Sequence, residues 1–410
     1  MDEYLSYQEI IESNPAAAKA LPENGYNYLV NNSKFTGDEL NETWDRNTKE
    51  NLDTLYDMCG SIGDGILGLG LNKCTIGIGS GPSYHINKNV LREAYRINAN
   101  HRLDDQPFVF IATNHQFPQC IKDGIHPHFV MAIDATKQLR RQLGVIPTQE
   151  AENTILLANL YCDPTALKKW IKKGGKICFY IPENPHAMEL FKEKADPEMA
   201  CIQSAGNVMN MMWLLSLRFL HSQVFMCVGN DLSFEYTEDA ARRAKSFYAD
   251  GNIEADHERN QTKDYMAWQG FKYRESAIDY KPMINMELMG TSRQLFQYKM
   301  WLELHALNFY SSANTKFSYF NCSEQGILGV LAHNWETEEL YKRDNWFLLD
   351  EICPWYHTSR LDEAITLFLR YRTCRTQMVT GPDAGNVVVL PGKTDGAGII
   401  GRSGNLIVSP

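Results

Sequence analysis

The feature that most constrains this chain is a regular alternation of short apolar runs with helix-patterned segments, from Cys74 to about Phe234. The runs fall at 74–79, 108–113, 129–133, 154–161, 176–181 and 224–228, and helical patterns occupy 87–96, 117–123, 137–143, 164–173, 185–193 and 201–219. Strands that are apolar throughout and separated by crossover helices belong to parallel sheets covered on both faces. The spacing therefore predicts an α/β fold with a Rossmann-like open, mostly parallel sheet, whose ligands bind beyond the carboxyl ends of the strands. We expect a helical N-terminal extension over 1–70, with helical periodicity from Tyr4 to Ile11 and from Leu40 to Met58. A nucleotide-binding core over 71–250 follows, then a part completing the site over 251–335, with a clear amphipathic helix from Ser292 to Leu307 and a strand from Phe317 to Cys322. A helical region with a Gly-rich β tail fills 336–410, and that tail offers a surface for oligomerisation.

The first run passes directly into Gly79-Ser80-Gly81-Pro82-Ser83 and then into a helix. Glycine allows a left-handed backbone and close approach, proline removes one donor, and the remaining amides of a strand-to-helix turn can face an anion. An ordinary turn with no ligand explains this loop equally well by itself. Polar residues also follow other strands: Asn114, His115 and Gln116 after the second, Asp134 after the third, and Gly229, Asn230 and Asp231 after the sixth. Each alone reads as a helix cap; four such strand ends together point to one ligand-binding rim.

Composition narrows the class. The 410 residues are 44% hydrophobic and 22% charged, ordinary for a folded chain of more than one domain, and no apolar run approaches the roughly 18 residues of a membrane span. The acidic start MDEYLSYQEI lacks the pattern of a signal peptide, so we read the protein as cytoplasmic. Ten scattered cysteines without a C-x-x-C pair read as reduced core residues and not as a disulfide or zinc framework. A net charge of −10 argues against a nucleic-acid surface.

Several motifs are discarded. Gly396 to Gly401 matches G-x-G-x-x-G but has too little chain after it for a dinucleotide unit, and Gly392-Lys393-Thr394 lacks the first glycine of a P-loop, Val387 standing in its place. Neither H-E-x-x-H nor D-x-D occurs, so no metal ligands are nominated. The basic run Lys168 to Lys176 lies at a predicted helix C-terminus, where cations suit the helix dipole.

The ordered blocks GSGPSY (79–84), ATNHQF (112–117), DGIHPHFVMAID (123–134), SAGNV (204–208), VGNDLSF (228–234), YADG (248–251), GTSRQLFQYKMWLE (290–303) and NCSEQGILG (321–329) resemble the motility-associated-factor (Maf) proteins and the 6-hydroxymethylpterin diphosphokinase-like (MptE-like) proteins grouped with them. The first two blocks are also similar to bacterial sialyltransferases, which hold the CMP of their donor with a Gly-x-Gly-Pro-Ser loop and an asparagine. The resemblance covers roughly 75–330. It implies a nucleotide-binding core and one of two chemistries: transfer of a sialic-acid-like sugar from a CMP donor, or transfer of diphosphate from ATP with Mg2+. It implies that Gly79, Ser80, Gly81, Pro82 and Ser83 form the phosphate loop, that Asn114 contacts the nucleotide, and that Asp134 and Asp231 belong to the site together with Gly229 and Asn230. Asn230 stands where glutamine is common, and Ser323-Glu324-Gln325-Gly326 where Thr-Glu-Gly-Gly is typical.

Chemically, a CMP-sugar reaction breaks a glycosidic bond and releases a phosphate that is already charged, so loop amides and neutral side chains suffice. The ATP reaction calls for magnesium on carboxylates such as Asp134 and Asp231. The missing D-x-D and the sialyltransferase-like blocks favour a glycosyltransferase using a nucleotide sugar, a CMP-sugar first, with Asp134 or Asp231 orienting donor or acceptor and His115 or His257 as base. The acceptor is left open among a glycan, a protein and a hydroxymethylated base of phage DNA. The alternatives are the diphosphokinase and a non-catalytic nucleotide-binding protein.

Overall fold

The computed structural model describes residues 40–182, 185–194, 197, 200–202, 206–235, 265–275, 282–311, 317–332, 345–380, 388–391, 397–400 and 406–408, with residues 8 and 12. The rest of the expected Tyr4–Ile11 helix, the block at 248–251 and His257 lie outside the described residues.

All six expected strands form: β1 (Cys74–Ile78), β2 (Phe108–Thr113), β3 (Phe129–Ala132), β4 (Ile155–Asn159), β5 (Lys176–Pro182) and, after a two-residue β6 (Cys201–Ile202), β7 (Val224–Val228). Beyond β7 come β8 (Phe234–Glu235), β9 (Tyr265–Glu275), β10 (Pro282–Ser292), β11 (Ser318–Asn321), β12 (Gln325–Gly326), β13 (Val330–Ala332), β14 (Trp346–Leu348) and β15 (Tyr356–Thr358). One nine-stranded sheet runs in the order β15-β11-β7-β1-β2-β3-β4-β5-β6, and all its pairings are parallel. It is a Rossmann-like open sheet with helices on both faces, and it takes β11 and β15 from chain beyond residue 250.

Alternation along each strand divides the core. Cys74, Ile76, Ile78, Phe108, Phe110 and Met226 face the helices Tyr84–Ala99, Phe117–Lys122, Pro164–Lys172 and Leu361–Thr380. Val109, Ile111, Met131, Phe225 and Tyr319 face the helices Val208–Arg218 and Arg293–Ser311. Position 77 falls on the second face and is glycine, since a Cβ there would lie 2.5 Å from the Phe225 ring. The nine described cysteines are all free thiols, and eight of them are buried, as small core residues should be.

Three elements differ from expectation. The helix expected from Cys201 starts at Val208, because Gly206 takes φ +76° and the Asn207 side chain caps the helix by accepting from Asn210 N–H at 2.8 Å. Cys201–Ile202 instead pairs with β5 and extends the sheet. The aromatic stretch around Trp268 is the first arm of the β9–β10 hairpin, centre of a second, antiparallel sheet ordered β12-β9-β10-β8. The helical segment over 40–59 lies against the carboxyl ends of β3 and β4. Its Asn47 amide donates to the carbonyls of Ala135 (3.1 Å) and Tyr161 (2.8 Å), and Asn51 to those of Leu160 (2.8 Å) and Cys162 (2.9 Å). The tail strands Val388–Pro391, Ala397–Ile400 and Leu406–Val408 form the expected antiparallel meander. No helix among the described residues is long and apolar enough to cross a membrane.

Candidate functional site

The chain leaves β1 toward β2 and the far edge, then returns to pair β7 with the other side of β1. The loops after β1 and β7 therefore part to opposite faces, which makes this the switch point where open sheets hold ligands. Across it the two loops are joined by backbone: Gly79 N–H donates to Val228 O and Gly81 N–H to Gly229 O, both at 2.8 Å.

That contact revises the reason for the glycines. Neither Gly79 nor Gly81 has a positive φ; they are required because a Cβ at Gly79 would lie 2.4 Å from Gly229 O, and one at Gly81 would lie 2.7 Å from Asp231 Oδ1. The left-handed residue is Gly229, at φ +70°. Two loop amides expected to face a phosphate are thus already donating within the protein.

A third is as well. The buried Asp231 carboxylate accepts from Ser83 N–H at 2.8 Å and from the Ser83 hydroxyl on its other oxygen, and from the Gln325 amide at 3.0 Å. An anion at this position suits the start of the Tyr84–Ala99 helix, whose amides carry partial positive charge. The place where a phosphate was expected thus holds the protein's own carboxylate. Burial, opposed by these hydrogen bonds, pushes its pKa up to about 6.

The loop after β11 completes the cluster. Ser323 Oγ accepts from Asn230 N–H at 3.2 Å, Ile327 N–H donates to Asp231 O at 3.0 Å, and a Cβ at Gly326 would lie 2.3 Å from that same oxygen. Left-handed backbone gathers here, at Gly229, Leu232 (φ 53°), Glu324 (φ 63°) and Gly326 (φ 124°). Such conformations persist only where surrounding contacts over-determine them. Ser323 and Gln325 were visible in the sequence as the block departing from the family pattern, but their role was not.

The remaining nominated residues lie on the other side of β1. The buried Asn114 Nδ2 donates to Gln142 Oε1, and Gln142 Nε2 lies 3.2 Å from His115 Nδ1. An amide NH2 can only donate, so Nδ1 is the acceptor and the neutral ring carries its proton on Nε2. Nothing in the sequence marked Gln142. Asp134, half-buried at the end of β3, accepts from Thr136 N–H at 2.7 Å. Beside it Arg140 makes two bonds to Asp163, at 2.8 and 2.6 Å, and Trp44 stacks on Tyr161 with centroids 4.9 Å apart.

Asp134 and Asp231 do not converge. Their strands are separated by β1 and β2, three spacings of about 4.8 Å or roughly 14 Å in all. Both oxygens of Asp231 meet N–H or O–H donors, so a cation there would face hydrogens instead of lone pairs. These residues do not fit a shared Mg2+ ion. Among the described residues no group of three or more His, Cys, Asp and Glu side chains could hold a metal.

No protein-family model matches this chain, and no curated protein does. Among solved structures it is similar to a Maf glycosyltransferase from Magnetospirillum magneticum AMB-1, at 13% identity and a TM-score of 0.40 over 63% of this chain. The match spans about a third of that protein (33%). A protein from Lactobacillus plantarum is similar over 54% of this chain and 89% of its own, at 10% identity and a TM-score of 0.17.

Proposed function

We propose that the protein is a glycosyltransferase that takes a sugar from a nucleotide donor, a CMP-linked sialic-acid-like sugar first among them, and passes it to a hydroxyl of a glycan or protein. The observation that carries this reading is the division of the rim. The side of β1 bearing Asn114, His115 and Gln142 offers a connected set of neutral hydrogen-bonding groups, with the half-buried carboxylate of Asp134 two strands from β1 and the neighbouring Asp163 already paired with Arg140.

Neutral donors suit a leaving group that departs as an already charged nucleotide phosphate. In this reading the Asn114 amide reads the nucleotide, the Ser80 end of the β1 loop borders the phosphate, and His115, held through Gln142, positions the Asn114 amide. The acceptor oxygen attacks the anomeric carbon as the bond to the nucleotide phosphate breaks, and Asp134 takes the acceptor proton. Asp231 and Gly229 hold the β1 loop in place, and Asn230 joins them to the loop after β11. The two strands, β1 and β2, that separate the strands leading to Asp134 and Asp231 weigh against the diphosphokinase alternative, which needs carboxylates gathered around magnesium. A net charge of −10 weighs against a DNA acceptor.

Thermal unfolding in the presence of CMP, CDP, UDP, GDP or ATP, each with and without Mg2+, tests the reading, because a ligand bound only by the folded state raises the transition. A shift with CMP that is independent of magnesium and disappears in Asn114→Ala supports it. A shift only with ATP and Mg2+ overturns it.

A further inference from the structure

Away from the rim, in the core beneath the β9–β10 hairpin, the helix Arg293–Ser311 carries an ion pair with no solvent exposure on either side chain. Lys299 Nζ lies 2.8 and 2.6 Å from the two oxygens of Glu303. The ammonium also sits over the rings of Trp268 and Phe296, 5.6 and 5.7 Å from their centroids. An apolar pair of similar volume generally stabilises a core as well or better, so stability alone does not account for two buried charges.

One oxygen has a second partner. Glu303 Oε1 accepts from the backbone N–H of Gly329 at 2.7 Å. Gly329 ends the loop that begins at Cys322 and carries Ser323, Gln325, Gly326 and Ile327, the groups that hold Asn230 and Asp231. Gly329 is itself left-handed, at φ +82°, and a Cβ there would lie 2.6 Å from the Tyr356 hydroxyl. The loop is thus fastened at one end to the switch point and at the other to a carboxylate that the helix cannot move.

We infer that Glu303, held by Lys299, is a positioning residue for the rim: its acceptor atom fixes the β11 loop, and through Gln325 and Asp231 it fixes the β1 loop beside which the nucleotide binds. The part of this inference that concerns binding rests on the function proposed above; the part that concerns loop order does not. Lysine supplies three donors to keep both carboxylate oxygens directed, so the carboxylate is the positioning atom set and the lysine its counter-ion.

Two double variants separate an acceptor from a mere filler. Lys299→Met with Glu303→Gln removes both charges and keeps an oxygen for Gly329 N–H. Lys299→Met with Glu303→Leu removes the oxygen too. Amide hydrogen exchange over 322–330, 229–232 and 79–84 should match the parent protein in the glutamine variant and be about tenfold or more faster in the leucine variant. The CMP-induced thermal shift should be kept in the first and lost in the second. Equal exchange in the two variants overturns the inference. If the leucine variant fails to fold, faster loop exchange in the folded glutamine variant overturns it, because the acceptor is still present there. If the parent protein shows no shift with CMP, the nucleotide reading falls, and the exchange comparison still decides the positioning role.

Discussion

The carboxylate of Asp231 accepts a hydrogen bond from the backbone of Ser83 at 2.8 Å, joining residues 148 positions apart at the switch point of the sheet. The turn after β1 is therefore a closed clasp between two strand ends, and in the proposed function the nucleotide lies beside it, on the β2 side.

Asp231 makes stability depend on pH in a defined direction. Its folded pKa is raised from 3.8 to about 6, chiefly by burial, so the native state binds a proton more tightly than the unfolded chain between those values. The stability this group contributes is complete below about pH 4 and is lost as the pH rises through about 6. Asp231→Asn keeps an oxygen for Ser83 N–H and Gln325, and lets the Ser83 hydroxyl accept. Denaturant unfolding at pH 4 and pH 7 should show the parent protein losing about 1–3 kcal/mol more than the variant across that range. Parallel losses would contradict the assignment.

Gly81→Val tests whether the loop is built for the protein or for a ligand. The new side chain would start 2.7 Å from Asp231 Oδ1 and 2.8 Å from Gly229 O, and the latter is backbone that cannot rotate aside. A loss of about 2–4 kcal/mol in unfolding free energy is expected even without nucleotide. A variant as stable as the parent but deficient in nucleotide binding would show that the glycine serves ligand approach.

Much of this was legible in the chain and some was not. Strands such as Phe108–Thr113 are apolar up to their last residue and bounded by polar turns, so their positions were readable from the order of residues alone. The β9–β10 hairpin was not, because Trp268 and Phe271 are buried while Gln269, Lys272 and Tyr273 between and beside them are partly exposed, a pattern that matches neither a buried strand nor a helix. The polar strand ends were visible, but not which way each pointed. Asp231 turns onto Ser83, and Gln142 reaches Asn114 across 28 positions of chain; both depend on neighbours that only the fold supplies.

Gln142 fixes the tautomer of His115, and that is measurable. Nitrogen-15 chemical shifts of the imidazole, assigned by comparison with His115→Gln, should report the Nε2–H form in the parent protein. In Gln142→Glu the carboxylate accepts on both sides, so Nδ1 should carry the proton instead. The same tautomer in both proteins would show that Gln142 does not set the position of the ring proton.

The most direct test of the proposed function offers both chemistries at once. Phosphorus-31 NMR of the protein with a CMP-linked sialic acid, an oligosaccharide as sugar acceptor, ATP, a 6-hydroxymethylpterin as diphosphate acceptor and Mg2+ in one tube follows each phosphate separately. The account predicts that the CMP-sugar diester resonance is replaced by that of free CMP while ATP persists, and that Asn114→Ala slows this at least about tenfold. Conversion of ATP to AMP with the CMP-sugar untouched would contradict it.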